Sequence, residues 1–462
     1  MKTELREHES VAEAMAAAAQ QDADRSPGRF APTPAVYLGE IALAVAAEQP
    51  AWLRRARQAG AEALAAQGFP TPKHEDWHYT STGPIAEAAF PTLAAASGSA
   101  TAADLEPYRF GHADWPTLVF VNGRFDATLS KLDTLPEGVR AMPMARALVE
   151  QADVVERVLG TIATPTLHPF AALNQALFLD GALVTVAKEM EADVPVHLVY
   201  VTDANGARGT THPRTLIAAE RHSKLTVLES HVALGDSAYL TNHVTEIDVA
   251  DGATVTHVKL QRESQRAFHV AHVEARQGRD SHFFSFSFAT GAQLSRTNVY
   301  TVLAGEGCGA TLNGLYLLDG EQHCDHQTRI EHAQPNCYSR EVYKGILDGH
   351  SHGVFNGKVY VHPIAQKTDG KQTNKTLLLS PDARIDAKPQ LEIFADDVKC
   401  THGATVGQLD ATSLFYMKSR GISDETSRKL LTYAFAADVL ETLEIEDVKD
   451  ELEALTLARY TS

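Results

Sequence analysis

With 462 residues, 44% of them hydrophobic and 22% charged, the chain can bury a sizeable core, and it is long enough that two or three structural regions, or one elongated solenoid, are expected. A formal charge of −18 excludes the basic field that a nucleic-acid backbone or an anionic membrane surface requires of its partner. Four scattered cysteines (Cys308, Cys324, Cys337 and Cys400), no apolar run of the roughly eighteen residues a spanning helix needs, and no signal-peptide pattern behind Met1 predict a reduced, cytoplasmic protein rather than an exported or membrane one.

Residues 1–115 read as an N-terminal helical region. Val11 to Gln21 is alanine-rich, and Pro50 opens a run to Gln67 with apolar residues three and four apart, closed by Gly68. Residues 116–193 read as a mixed α/β lead-in, with a strand from Thr117 to Val121 before an Asn122-Gly123 turn, then helical stretches near Met144 to Leu159 and Phe170 to Phe178. From 194 to 409 the texture is short alternating segments such as Thr254 to Leu260 and Phe284 to Phe288, with no helix-period stretch between them to supply crossovers. That pattern fits a β-sandwich and a solenoid of stacked coils equally. Residues 410–462 return to helical periodicity, with Arg420-Gly421 as a stop and Ser423 as a new N-cap. This end either caps the fold or docks a partner.

The usual catalytic signatures are missing. Gly353 to Lys358 lacks the spacer that lets backbone amides wrap phosphates, Gly305 to Gly309 leads into a strand rather than a helix, and no nucleophile elbow occurs. Histidine is abundant, at 21 residues, and His323, His326, His332, His350 and His352 cluster in sequence. On a strand, residues two apart share a face, so His350 and His352 are able to converge on one ion, while His323 and His326 point to opposite faces. A homodimeric, histidine-rich metal-binding protein therefore stays open, as does a β-helical polysaccharide-active enzyme. Cys400 and His402, if extended, put a thiol and an imidazole on one face, a pair suited to zinc, copper(I) or iron-sulfur species. The remaining ligands would come from distant coils or another chain.

Read together, several motifs resemble the SufB/SufD family of iron-sulfur assembly proteins, and its SufD branch. They are Glu75 to Thr80, Leu312 to Tyr316, His323 to Thr328, Gly353 to Val359, Ala365 to Asp369, Pro389 to Gly407 and Tyr416 to Ile422. The stretch Asn374 to Gln390 lacks the cysteine that SufB-like chains carry there, which favours the SufD side. The resemblance implies a mainly β chain, a right-handed parallel β-helix flanked by N-terminal and C-terminal helical regions. It implies a non-catalytic scaffold subunit of a SufBCD complex, paired with a SufB-like paralogue, with ATP hydrolysis on a SufC-like ATPase. The C-terminal helices would hold that ATPase through Leu414, Phe415, Tyr416, Arg420, Gly421 and Phe435. It further implies a transient iron-sulfur cluster at the paralogue interface, with His402 and Cys400 as candidate ligands, and a reduced flavin bound by the complex.

Overall fold

The computed structural model describes residues 30–93 and 99–459, so the helix expected over Val11 to Gln21 lies outside the described residues. Strands alternate between two sheets. Through the body of the fold each strand pairs in parallel with the next strand but one, so that Leu294, His323, His352 and Arg384 stand opposite one another in one sheet. Thr254, His282, Gly309, Tyr338, Asp369 and Lys399 do the same in the other. The alternation resolves the choice between sandwich and solenoid. The chain winds as a parallel β-solenoid of about eight turns, each of about 30 residues. Thr254 to Leu260 and Phe284 to Phe288 fall inside the strands Thr254–Arg262 and His282–Ala289.

Parallel strands joined without helices need a tight corner, and the backbone supplies it at a fixed place. Two residues before each of six successive strands of one sheet, from Lys224–Ala233 to Asp369–Leu378, stands a residue with positive φ: His222, Gly252, Asp280, Gly307, Asn336 and Lys367. Side chains disfavour that region, so its recurrence at non-glycine positions shows the coil imposing it. Gly305 to Gly309 is thus a solenoid corner.

Inward-facing residues fill the space between the sheets. Val184, Val196, Leu225, Val227, Ile247, Val255, Phe283 and Ile330 belong to this central core. Both outer faces are covered as well, which is why the strands alternate between two buried faces and show little polar-out pattern. Against the sheet that contains Leu240, Phe268, Val270 and Leu294 pack the helices Ala35–Ala46, Ala51–Gln67 and Pro169–Leu177, through Tyr37, Leu64, Phe170 and Leu173. Against the other, at Leu228, Leu260, Phe286 and Leu315, pack Asp424–Leu440 and Glu446–Arg459 through Ala436, Val439, Leu440, Val448 and Leu452.

The helical stretch expected from Met144 to Leu159 is two helices, Met144–Glu150 and Ala152–Val158, broken at Gln151 (φ −135°, ψ 34°) without any Gly or Pro to signal it. Among the described residues, no helix is long and apolar enough to cross a membrane.

The Glu75 to Thr80 motif explains itself here. Trp77 is buried in the N-terminal layer, and its ring lies 3.8 Å from the Arg296 guanidinium. Arg296 donates to the Asp76 carbonyl at 2.7 Å and to Asp325 at 2.6 Å, and the Thr80 hydroxyl donates to the same Asp325 oxygen at 2.6 Å. Both charges are 1% exposed. The motif is the clasp that fastens the N-terminal layer to the solenoid wall.

Candidate functional site

The two sheets end at the same end of the solenoid, on Arg384–Ile393 in one and Lys399–Gly407 in the other. Parallel pairing turns the backbone groups of alternate residues toward opposite sides of a strand. Lys399 N–H donates inward to Thr368 O at 2.8 Å, so the odd-numbered residues of this strand serve the ladder. The N–H groups of Cys400, His402, Ala404 and Val406 therefore point to the free edge. In the other sheet Arg384 N–H donates inward to Ser351 O, so Pro389 stands at an outward position and removes one donor from that edge. Proline on an outer strand blunts it as a pairing template. Lys399–Gly407, which has no proline, is the more receptive of the two edges.

Cys400 and His402 do share a face, as their spacing predicts, and that face is the interior of the solenoid. Cys400 is in line with Gly370, Ser339 and Ala310, and His402 with Gln372, Glu341 and Leu312. Among the described residues no further turn lies over them, and the environments diverge. Cys400 packs with Val359, Val361, Ala365 and Ala395, and burial pushes its thiol above the usual range. His402 is exposed. Immediately beneath it Gln372 donates to Glu341 at 2.8 Å, and burial raises Glu341 to about 7. The open turn thus offers an accessible imidazole above a polar floor.

The histidine cluster divides. His350 lies in the turn before its strand, 3.9 Å from Asp382, and is exposed, whereas His352 begins the strand and points to His323 and Asp386. His350 and His352 therefore do not converge on a common ion. The true neighbours are His323 and His352, in register on adjacent strands with their Nδ1 atoms 3.1 Å apart. His323 also meets the Thr80 hydroxyl at 2.8 Å, and burial lowers it to about 4. His326 faces inward on the opposite side of the same strand, against Tyr316 and Tyr343.

At the C-terminal region, Ala411–Ser419 is capped by Asp410, whose carboxylate accepts from Thr412 and Ser413 N–H, and has no buried residue. Phe415 and Tyr416 are 74% and 57% exposed. Arg420 stacks 5.1 Å from the Tyr416 ring, Gly421 ends the segment at φ 87°, and Leu414 is half-buried. Phe435, on the next helix, is partly buried against the solenoid, with Lys344 Nζ 4.7 Å from its ring.

Two groups of possible ligands escaped the sequence reading: Glu229, His231 and His243, and His168, His272 and Glu274. The alternation Glu229-Ser230-His231 inside a strand pattern was the available signal for the first.

Comparison with known proteins gives one answer. A profile for the SUF system FeS cluster assembly SufBD core domain matches residues 200–435, and one for the SufBD protein N-terminal region matches 39–198. An iron-sulfur cluster assembly SufBD family protein of Synechocystis is 32% identical over 86% of this chain and 88% of its own. The iron-sulfur cluster assembly protein SufD of Escherichia coli is 33% identical over 83% and 88%, and that of Bacillus subtilis 28% over 88% and 93%. The chain belongs to the SufBD family of iron-sulfur cluster assembly proteins, on its SufD side.

Proposed function

We propose that this chain is a cytoplasmic, non-catalytic scaffold subunit whose open solenoid end pairs with a SufB-like paralogue, the two chains sharing a transient iron-sulfur cluster that is cargo rather than a resident cofactor. The observation that carries the reading is the uncovered last turn: a nine-residue strand with free outward N–H groups and His402 exposed upon it. A paralogue strand added at Lys399–Gly407 would continue the sheet, as strand addition does elsewhere. It would also bring its own ligands over His402. A neutral imidazole supplies one borderline ligand, so a cluster held there takes its thiolates from the partner. Cys400, packed and with a raised thiol, serves the wall of that site.

The exposed Phe415 and Tyr416, with Leu414, Arg420 and Gly421, form an apolar, cation-edged surface suited to docking a SufC-like ATPase, with Phe435 bracing it from the solenoid side. ATP hydrolysis then belongs to that partner, and any reduced flavin to the assembled complex.

The test is co-expression with the SufB-like and SufC-like chains, followed by anaerobic loading with iron and sulfide. His402→Ala is expected to leave the complex intact and the melting temperature unchanged, because the side chain is exposed, while the visible cluster chromophore falls at least tenfold. A full chromophore in His402→Ala would remove the ligand role. Recovery of only a homodimer would remove the scaffold reading.

A further inference from the structure

Deep inside the solenoid, polar side chains interrupt the apolar filling, and in one turn they gather most closely. The strands Lys224–Ala233 and Leu240–Val249 face each other across the interior and send inward Glu229 and His231 from one side, His243 and Thr245 from the other. Glu229, His231 and His243 each offer one ligand atom within 4.8 Å of the others, and none is more than 1% exposed. His243 Nδ1 lies 3.1 Å from His231 Nε2, and its Nε2 lies 3.9 Å from Glu229 Oε1. Those two distances use different nitrogens of His243, and an ion takes one atom from each residue; with one atom each, all three lie within 4.8 Å, whereas donor atoms bound at about 2.1 Å stand roughly 3 to 3.5 Å apart, so binding draws the three side chains together.

We propose that Glu229, His231 and His243 form a buried site for a borderline divalent transition ion such as Fe²⁺, Zn²⁺ or Co²⁺.

Burying a carboxylate among imidazoles in a sealed interior is unfavourable unless each group is compensated. Compensation from within the chain is incomplete. His231 Nδ1 and the Nδ1 of the adjacent His257 have no hydrogen-bond partner among the described residues. The one lysine nearby, Lys259, is engaged elsewhere: its Nζ is 2.8 Å from His269 Nε2, and His269 in turn lies 2.6 Å from Glu263. Two imidazoles and one carboxylate are the donor set that favours Zn²⁺ and Fe²⁺ over Mg²⁺ or Ca²⁺. The carboxylate is also oriented from outside that set: the Thr245 hydroxyl donates to Glu229 at 3.0 Å and His257 Nε2 lies 3.0 Å from it, as supporting partners of metal ligands do. Toward the open turn, Gln372, Glu341, Tyr343, His326 and Ser287 carry further buried interior-facing polar atoms without a partner among the described residues. The site is separate from His402 and does not rest on the cluster reading.

The experiment produces the full chain in cobalt-supplemented medium, so that the interior closes in the ion's presence, and measures retained Co²⁺ by elemental analysis and visible absorption. About one Co²⁺ per chain is expected, retained in His272→Gln and in His402→Ala, and lost by more than tenfold in the His231→Gln/His243→Gln pair. No retained cobalt, retention that survives the pair, or loss in His272→Gln instead would overturn the proposal. Should the pair fail to fold, anomalous diffraction from cobalt-loaded crystals of the unaltered chain decides. A peak between Glu229, His231 and His243 upholds the site; no peak there overturns it.

Discussion

The two ends of the solenoid are built on opposite plans. At the N-terminal end each sheet is closed by a short strand running against the rest: Arg124–Phe125 reverses after Asn122-Gly123 and pairs antiparallel with Thr117–Val121, and Val139–Pro143 pairs antiparallel with Gly181–Val186. The last residue of the second is a proline, and the helices Met144–Glu150 and Ala152–Val158 pack behind it through Met144, Val155 and Val158. Short strands, reversal and proline are devices that stop a sheet from recruiting another strand. At the C-terminal end the strands stay parallel and long, and the last one is exposed along most of its length. The chain thus blunts one end fully and leaves the strand Lys399–Gly407, with His402 upon it, exposed at the other.

The largest expected difference between the sealed interior and the open turn is in acid. Burial lowers His197, His212 and His326 to about 3 and His332 to about 4, whereas an imidazole in the unfolded chain titrates near 6.5. Below that pH the unfolded chain binds the protons first. Stability is therefore whole above about 6.5 and drains as pH falls toward 4, each such histidine contributing on the order of 1 kcal/mol per pH unit. Circular dichroism against pH is expected to show cooperative unfolding between about 6 and 4.5. A fold that stays intact to pH 4 would mean these histidines are not sealed.

Next comes the clasp. Arg296→Ala strands the buried Asp325 carboxylate and releases both the Asp76 carbonyl and the Trp77 ring, at a cost of about 3 to 5 kcal/mol. Denaturant unfolding should register that loss, and proteolysis should reach the N-terminal helices first. A change under about 1 kcal/mol would show that the N-terminal layer is held by its apolar face alone.

Much of this contrast was readable from residue chemistry, and the unread part has a physical cause. Asn122-Gly123 announces its hairpin because both residues take positive φ, and Ser423 announces its helix because its hydroxyl accepts from Thr426 N–H. The repeat itself is hidden. Its left-handed corner is occupied by His, Gly, Asp, Gly, Asn and Lys in successive turns, and the spacing between stacked positions drifts, so no fixed period marks the chain. Periodicity alone therefore could not separate sandwich from solenoid. The same stacking explains why His323 and His352, a full turn apart, are in contact, while His350 turns to Asp382 instead. Interior sites such as Glu229 with His243 join two sheets, and only the winding brings them together.

A smaller effect sharpens the difference between the two edges. Ala404→Pro removes an outward N–H without touching the inward ladder, and proline is tolerated on an outer strand. The isolated chain should melt within a degree or two of the unaltered one, while its affinity for the SufB-like paralogue falls roughly tenfold, the loss of about one hydrogen bond and its clash. Unchanged affinity by titration calorimetry would place the contact away from this edge.

The smallest expected effect divides the last turn against itself. Cys400 and His402 share one face, but Cys400 is packed against Val359, Val361 and Ala365 with a thiol that burial keeps protonated, and His402 is free in solvent. A thiol must ionise to bind iron, so the packed residue is the poorer ligand of the two. Cys400→Ser conserves shape and replaces a half-buried thiol by a hydroxyl, for a stability loss of about 1 kcal/mol or less. Anaerobic loading of the complex should give a chromophore close to that of the unaltered chain, in contrast with His402→Ala. A chromophore lost equally in both would make Cys400 a ligand and require its side chain to turn out of the coil when the partner arrives. The open turn would then be a surface that rearranges on pairing rather than one already shaped for it.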